Sequence, residues 1–229
     1  MRWIIVVLAV LAVAAGVIGH WLGLRTGEAR REELDRREMG TPSPEDRVHI
    51  MAADTLSNYL DKIQAQVRAH EGDFERLNKQ NALTWNIHRR EDIERDRRMI
   101  RQFLASNTKL TDSLQYGADF IRADMNTAKL PADVRDSVLA LYAKSQTPLL
   151  PLQMHVRQCD QEIGESALAV LDLLDFNWGA WTRDEATGRV DFNNSVTLAT
   201  FQDYVTKLKA AADERQEAQR TLAHDQERN

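Results

Sequence analysis

The first 24 residues constrain this chain more than any other stretch. From Trp3 to Leu24 the sequence reads WIIVVLAVLAVAAGVIGHWLGL, in which His20 is the one strongly polar residue. A helix of roughly 20 apolar residues, at about 1.5 Å per residue, crosses the hydrocarbon layer of a bilayer and satisfies its own backbone there. The sequence therefore predicts a transmembrane anchor over residues 1–24, in a single-pass protein of the cell (inner) membrane.

A cleaved signal peptide is the alternative interpretation of the same stretch. The tripeptide Ala12-Val13-Ala14 fits the small-x-small cleavage pattern. The apolar region of a signal peptide, however, has about 7 to 15 residues, and here the apolar run continues to Leu24. The length therefore favours an uncleaved anchor.

The basic residues around the anchor bear on its orientation. Only Arg2 precedes the apolar run, and the arginines that follow it are Arg25, Arg30, Arg31, Arg36 and Arg37. The positive-inside rule then favours a cytoplasmic location for the large domain. Acidic residues are interleaved with these arginines, so the opposite orientation stays open.

Small residues recur along one side of the predicted anchor helix. Ala15, Gly19 and Gly23 are spaced four residues apart, which is the pattern that lets two membrane helices approach closely. These residues are the candidates for helix packing in the membrane, and the spacing is compatible with a homodimer. The expected partners are thus the lipid bilayer, a second copy of the chain and a protein that the sequence does not identify.

Beyond the anchor, composition and spacing predict long helices. Only ten Gly and five Pro occur in 229 residues, so few positions break a helix. Apolar residues recur at alternating steps of three and four, the pattern of coiled coils and helical bundles. Such stripes must pack against each other, which predicts an all-α fold: an antiparallel four- to five-helix bundle with one inserted β-hairpin.

The predicted helices and boundaries follow from these stripes and from the few helix breakers. The segments are the anchor 1–24, a charged juxtamembrane stalk and Pro/Ser linker 25–44, the helical bundle domain 45–223 and a frayed tail 224–229. The first stripe runs through Leu56, Leu60, Ile63, Val67, His70, Phe74, Leu77 and Asn81. A bend is expected at 78–90, although no Gly or Pro forces one, so an unbroken helix beyond 46–83 stays open. A second stripe covers 100–125, and further helices are expected to start near Pro131, near Pro148 and after Asn194.

Residues 178–192 interrupt the helical pattern and predict a β-hairpin. With the loop over DEATG, Arg183 pairs with Arg189 and Trp181 with Asp191. Alternation then places Trp178 towards the bundle and leaves Trp181, Arg183 and Arg189 on the outer face. An aromatic residue among charges is typical of an interface hot spot, so these three are the candidate partner contact. A bulge in the loop would change this register.

A search for reaction chemistry yields no catalytic residue, metal ligand or cofactor site. No Glu-x-x-His, HExxH, CxxC, GxGxxG or Walker pattern occurs. Cys159 is the single cysteine and lies on a helix stripe, where the simplest interpretation is a small buried hydrophobic residue. A net charge of -5 excludes a nucleic-acid binder that depends on a basic surface.

Two polar features, a histidine on an apolar stripe and an arginine-rich run, require interpretation. His70 lies on an apolar stripe, where it is either a hydrogen-bonded core residue or a pH-sensitive residue whose protonation pushes helices apart. The arginine-rich run from His88 to Arg101 is interpreted as a solvated helix face, with Glu91–Arg95 and Glu94–Arg98 pairs at i, i+4.

These observations predict a non-enzymatic function. The expected role is that of a membrane-anchored interaction or scaffold module that binds a protein partner. The alternative is a sensory or ligand-binding bundle domain that signals through a partner. The absence of an acid–base or nucleophile motif argues against an enzyme.

Overall fold

The computed structural model describes residues 43–228, with side chains up to residue 224. This part of the chain is mostly helical, as the all-α prediction requires, and contains six helices rather than four or five. The helices are α1 (Pro44–Lys79), α2 (Arg90–Gln115), α3 (Gly117–Thr127), α4 (Ala132–Gln146), α5 (Leu150–Phe176) and α6 (Ser195–Arg228). The strands β1 (Trp181–Arg183) and β2 (Val190–Phe192) form one antiparallel hairpin between α5 and α6.

The predicted anchor and most of the stalk lie outside the described residues. This includes the proposed packing residues Ala15, Gly19 and Gly23. Within residues 43–228, no helix has the length and apolar character that crossing a bilayer requires.

Local contacts define the two ends of α1. The Ser43 hydroxyl accepts a hydrogen bond from the Asp46 backbone N–H at 3.1 Å, and the Asp46 carboxylate accepts one from the Ser43 N–H at 3.3 Å. This reciprocal pair is a capping arrangement that satisfies backbone donors at a helix start. α1 ends at Lys79, and the loop before α2 contains two residues with positive φ, Asn81 and Trp85. The bend predicted at 78–90 is therefore real, and the first helix does not continue through it.

The break between α2 and α3 was not predicted. The stripe expected to continue over 100–125 is divided at Tyr116, directly before Gly117. A Cβ atom on Gly117 would collide with the hydroxyls of Tyr142 and Tyr59. Glycine is thus required because two tyrosine side chains occupy the space of a side chain.

The described chain divides into two compact units. The first contains residues up to Ala65, Asp112–Pro151 and the last residues from Gln226, and the second contains Gln66–Thr111 and Leu152–Asp225. In the first unit the rings of Tyr59 and Tyr142 meet edge to face at 5.9 Å. The Tyr59 hydroxyl also donates a hydrogen bond to the Ser113 carbonyl at 2.5 Å.

The second unit has its own apolar core, and the hairpin packs on it. Its largest fully buried members come from α1, α2 and α5 and are Leu77, Ile93, Ile100, Phe103, Ile163, Leu171 and Leu174. Val190 of β2 is buried in the same core, and Phe192 packs against it. Burial of these side chains, each worth roughly 1.5 to 3 kcal/mol, stabilises the unit.

The hairpin register differs from the prediction by one residue. Trp181 pairs with Phe192 and Arg183 with Val190, so Trp181 faces the core with β2's apolar residues. The reason is the turn, where the Asp184 N–H donates to the Arg189 carbonyl at 2.8 Å. The prediction that Trp181 lies on the outer face of the hairpin is therefore wrong.

The last helix begins and ends in ways that the sequence only partly predicted. The Asn194 side-chain oxygen accepts hydrogen bonds from the N–H groups of Val196 at 2.8 Å and Thr197 at 3.4 Å, so Asn194 is the cap. α6 continues to Arg228, beyond the predicted boundary at 223.

Candidate functional site: a buried ionic network

A network of ionisable side chains lies inside the second unit, centred on Asp160. This carboxylate is fully buried. One oxygen, Oδ2, lies 3.0 Å from His70 Nε2 and 3.0 Å from an Arg157 guanidinium nitrogen, and the other, Oδ1, accepts from Arg215 Nε at 2.5 Å. We refer to Asp160, His70, Arg157, Arg215 and Glu71 as the Asp160 network.

Three helices bring the network together. His70 lies on the buried stripe of α1, and Arg157 and Asp160 are three residues apart on α5, so their side chains share one face. Arg215 lies on the buried stripe of α6, one turn after Ala211. Its guanidinium fits a seam position because Asp160, Glu71 and Gln219 accept its hydrogen bonds.

Arg215 is the best-satisfied cation of the network. Its Nη2 lies 3.1 and 3.3 Å from the two Glu71 carboxylate oxygens, and its Nη1 donates to the Gln219 side-chain oxygen at 3.0 Å. The guanidinium also lies 4.1 Å from the centre of the Phe74 ring, close enough for a cation–π contact. The positive charge of Arg215 is thus compensated by the carboxylates of Asp160 and Glu71 and by the face of the Phe74 ring.

Electrostatics in the network favour ionised groups at its centre. Burial by itself raises the pKa of Asp160, but the His70 hydrogen bond and the charges of Arg157 and Arg215 outweigh it and lower that pKa. Burial lowers the pKa of both guanidinium groups. Asp160 and Glu71 reverse this for Arg215, whose pKa is raised, whereas the pKa of Arg157 stays lowered. The two arginines differ because the charge of Arg215 lowers the pKa of Arg157 further, and because Arg157 Nη1 has no hydrogen-bond partner among the described residues.

His70 uses both ring nitrogens. Besides Nε2 on Asp160, its Nδ1 lies 2.9 Å from the Ser106 hydroxyl, which in turn lies 2.9 Å from the Phe103 carbonyl. The imidazole also stacks on the Phe103 ring at 4.7 Å. The prediction that His70 is a hydrogen-bonded core residue is confirmed.

The Ser106 hydroxyl allows both protonation states of His70. With a neutral ring, Nε2–H donates to Asp160 and Nδ1 accepts from the Ser106 O–H. With a charged ring, Nδ1–H donates to the Ser106 oxygen while the hydroxyl donates to Phe103. Protonation therefore breaks none of these hydrogen bonds, and the added charge lies beside a carboxylate. A pH-sensing role for His70 stays a prediction.

Ser106, His70 and Asp160 are the residue types of a hydrolase triad, in contact along one line. The remaining requirements are not met. Ser106 lies in the middle of α2 rather than on a turn, so its neighbouring backbone N–H groups are used within the helix instead of forming an oxyanion hole. Asp160 also binds two arginines. The arrangement serves to bury charge rather than to activate a nucleophile.

Comparison with known proteins does not change this interpretation. No family model, curated protein or solved structure matches the chain. The evidence on function therefore comes from the side chains of this protein.

The residues predicted as a partner contact are only partly exposed. The Trp181 indole N–H donates to the Leu174 carbonyl at 2.9 Å, and the ring packs against the core. Arg183 is largely covered and pairs with Glu185 at 3.0 Å. Arg189 is 71% exposed and pairs with Asp191. The three residues thus do not form one open surface, and their role in partner binding stays untested.

Three apolar side chains in the segments that flank the hairpin are exposed instead. Phe176, at the end of α5, is 90% exposed, Val196, at the start of α6, is 73% exposed, and Trp178 between them is 38% exposed. The Arg90 guanidinium lies 5.7 Å from the centre of the Trp178 ring. We name Phe176, Trp178 and Val196 the hairpin-end surface.

The arginine-rich run forms different ion pairs from those predicted. Arg97 is only 12% exposed and pairs with Asp172 at 2.8 Å and Asp175 at 3.2 Å, both on α5. Arg95 pairs with Asp92 at 3.1 Å and with Asp96 at 2.9 Å. The run therefore joins α2 to α5 in addition to presenting charge to solvent.

A second polar cluster could hold a metal ion. Donor atoms of His155 and Cys159 on α5 and of Glu214 on α6 all lie within 4.8 Å of one another. Cys159 is buried, as predicted, while His155 and Glu214 are exposed. The sequence analysis did not predict this cluster because metal-binding motifs have ligands at fixed spacing. Here the third ligand comes from a different helix, α6.

Proposed function

We propose that this chain is a single-pass, membrane-anchored helical bundle that acts without catalysis as an interaction or scaffold module at the membrane. The apolar run from Trp3 to Leu24 supports the anchor. The helical fold of residues 43–228 supports a bundle that is presented from that anchor.

The hairpin-end surface is the observation that carries the interaction role. A phenylalanine that is 90% exposed loses the stabilisation that its burial would provide. Apolar and aromatic residues grouped on a surface, with an arginine beside them, are typical of protein contact sites. The candidate contact thus moves from Trp181 to Phe176, Trp178 and Val196.

The absence of catalysis is supported by how the polar groups are used. In the Asp160 network, Asp160 pairs with His70 and both carboxylates pair with arginines, and His70 and Asp160 are fully buried. A substrate would have to open the core of the second unit to reach them. The network is therefore better suited to holding α1, α5 and α6 together than to reacting.

Site-specific photo-crosslinking in the native membrane tests the proposal. A photoreactive amino acid at position 176 should give a single protein adduct, because this side chain would lie in the interface. The same probe at Lys209, an exposed position on α6, is the matched control and should give none. Trp178→Ala should weaken the adduct at 176 while the helical circular dichroism is unchanged. Equal labelling at 176 and 209, or no adduct at 176, would contradict the proposed contact.

A further inference from the structure

His155, Cys159 and Glu214 form a cluster that differs from the Asp160 network because one of its side chains is a thiol. His155 and Cys159 are four residues apart on α5 and therefore project from one face of that helix. Glu214 comes from α6, and the three donor atoms converge to within 4.8 Å. Two of the three side chains are open to solvent, so an ion can reach them.

The donor types define which ion fits. A thiolate, an imidazole and a carboxylate together are characteristic ligands of Zn²⁺, whereas Mg²⁺ and Ca²⁺ prefer oxygen ligands alone. With Zn–S near 2.3 Å and Zn–N near 2.1 Å, tetrahedral ligand atoms lie roughly 3.5 Å apart. The three donor atoms lie within 4.8 Å of one another, so they must approach each other to reach this geometry, and water can complete a fourth position.

The charges around the thiol also favour a cation. The carboxylates of Glu214, Glu162 and Asp160 act electrostatically on the Cys159 thiol, and the Arg215 guanidinium acts in the opposite direction. Carboxylates gathered around a site raise the local concentration of cations. The ion would in turn compensate the thiolate that it binds.

We propose that His155, Cys159 and Glu214 bind one Zn²⁺ ion, with water as the fourth ligand. On binding, the Cys159 S–H bond is replaced by a Zn–S bond and one proton is released to solvent, without any change of oxidation state. The ion would link α5 to α6 within the second unit. This metal site is independent of the proposed interaction function.

Cobalt substitution tests the site directly on the full chain, purified in mild detergent, treated with a chelator and kept reduced. Co²⁺ should produce a thiolate-to-metal charge-transfer band in the near ultraviolet together with tetrahedral visible bands, saturating at one ion per chain. Zn²⁺ should displace the cobalt and abolish both. Zn²⁺ should also raise the melting temperature, because binding to the folded state alone stabilises it.

Variants identify the ligands. Cys159→Ala should abolish the charge-transfer band, and His155→Ala and Glu214→Ala should each weaken Co²⁺ binding by about tenfold or more. His155 and Glu214 are exposed, so these two variants should keep the helical circular dichroism even if Cys159→Ala perturbs the core. The matched controls, His88→Ala and Glu217→Ala, alter exposed residues elsewhere and should bind Co²⁺ like the parent chain.

Two results would overturn the proposal. One is a parent protein that shows no charge-transfer band on Co²⁺ addition. The other is binding that is weakened as much by His88→Ala and Glu217→Ala as by His155→Ala and Glu214→Ala, which would indicate non-specific attachment to surface residues.

Discussion

At the scale of single residues, Asp160 shows how a buried charge can be kept in an apolar interior. Taking a carboxylate out of water costs several kcal/mol, which close cations must offset. Asp160 has two such neighbours, Arg157 and Arg215, and the His70 imidazole provides a further hydrogen bond. The arrangement stabilises the fold only while it is complete, because removing one partner leaves the others buried without compensation.

We expect Asp160→Asn to destabilise the second unit by about 3 to 5 kcal/mol, the usual effect of breaking a buried ion pair. Asparagine has nearly the same shape, so the loss would come from the charge on which Arg157 and Arg215 depend. Urea denaturation of the fragment 41–229, followed by circular dichroism, measures it.

Asp203→Asn is the control for this change. Asp203 is exposed on α6 and pairs with the exposed Lys207, so its replacement should cost less than about 1 kcal/mol. A similar loss of stability in the two variants would show that the Asp160 network does not hold the helices.

At the scale of the elements, the helix starts depend on short polar contacts. The Asp92 carboxylate accepts hydrogen bonds from the backbone N–H groups of His88 at 3.1 Å and Arg89 at 3.0 Å, at the start of α2. Burial alone raises the pKa of Asp92, but these hydrogen bonds and the charges of Arg95 and Arg89 lower it overall. The carboxylate is thus stabilised in its charged form by the folded helix start.

Asp92→Ala should lower the free energy of unfolding by about 1 kcal/mol at neutral pH, as the loss of a helix cap does. Because the folded pKa is lowered, this contribution is present above the ordinary carboxyl pKa and is lost as the pH falls through the lowered one. The difference between parent and variant in urea denaturation should therefore shrink as the pH falls below the ordinary carboxyl pKa of about 4.

The comparison for this helix start is Asp133→Ala, which changes an exposed aspartate in the first turn of α4. It should cost only a few tenths of a kcal/mol at neutral pH, from the helix dipole. An Asp92→Ala effect that stays constant or grows in acid would contradict the capping role.

At the scale of the whole molecule, the predicted anchor and the described helices have opposite solvent preferences. The run from Trp3 to Leu24 is almost entirely apolar. The helices of residues 43–228 instead bury one stripe each and expose charged faces, so we expect the described part to fold without lipid. The location of the chain should therefore depend on its first 24 residues alone.

We expect the full chain to stay in the membrane pellet after an alkaline carbonate wash, whereas the fragment 41–229 should be soluble. The fragment should have a mostly helical circular dichroism spectrum. A full chain that is released by the wash would contradict the anchor, and a fragment that is irregular or aggregated in buffer would contradict the independent bundle.

The sequence by itself determined the helical class and most of the helix boundaries. These depend on contacts between neighbouring residues, such as the prolines before α4 and at the start of α5 and the Asn194 cap of α6. Periodicity also identified His70 as a buried position. Local rules suffice for these features because the interacting groups lie within one or two helical turns of each other.

The tertiary structure decided everything that joins distant parts of the chain. The break at Tyr116 depends on tyrosines from two other helices, and the hairpin register depends on a turn that gains one residue. Asp160 meets His70 and Arg215, and Glu214 meets Cys159, only after α5 and α6 have packed. A stripe of apolar residues predicts that a side chain is buried, but it does not predict which residue that side chain contacts. Many pairings of helices would bury the same stripe equally well.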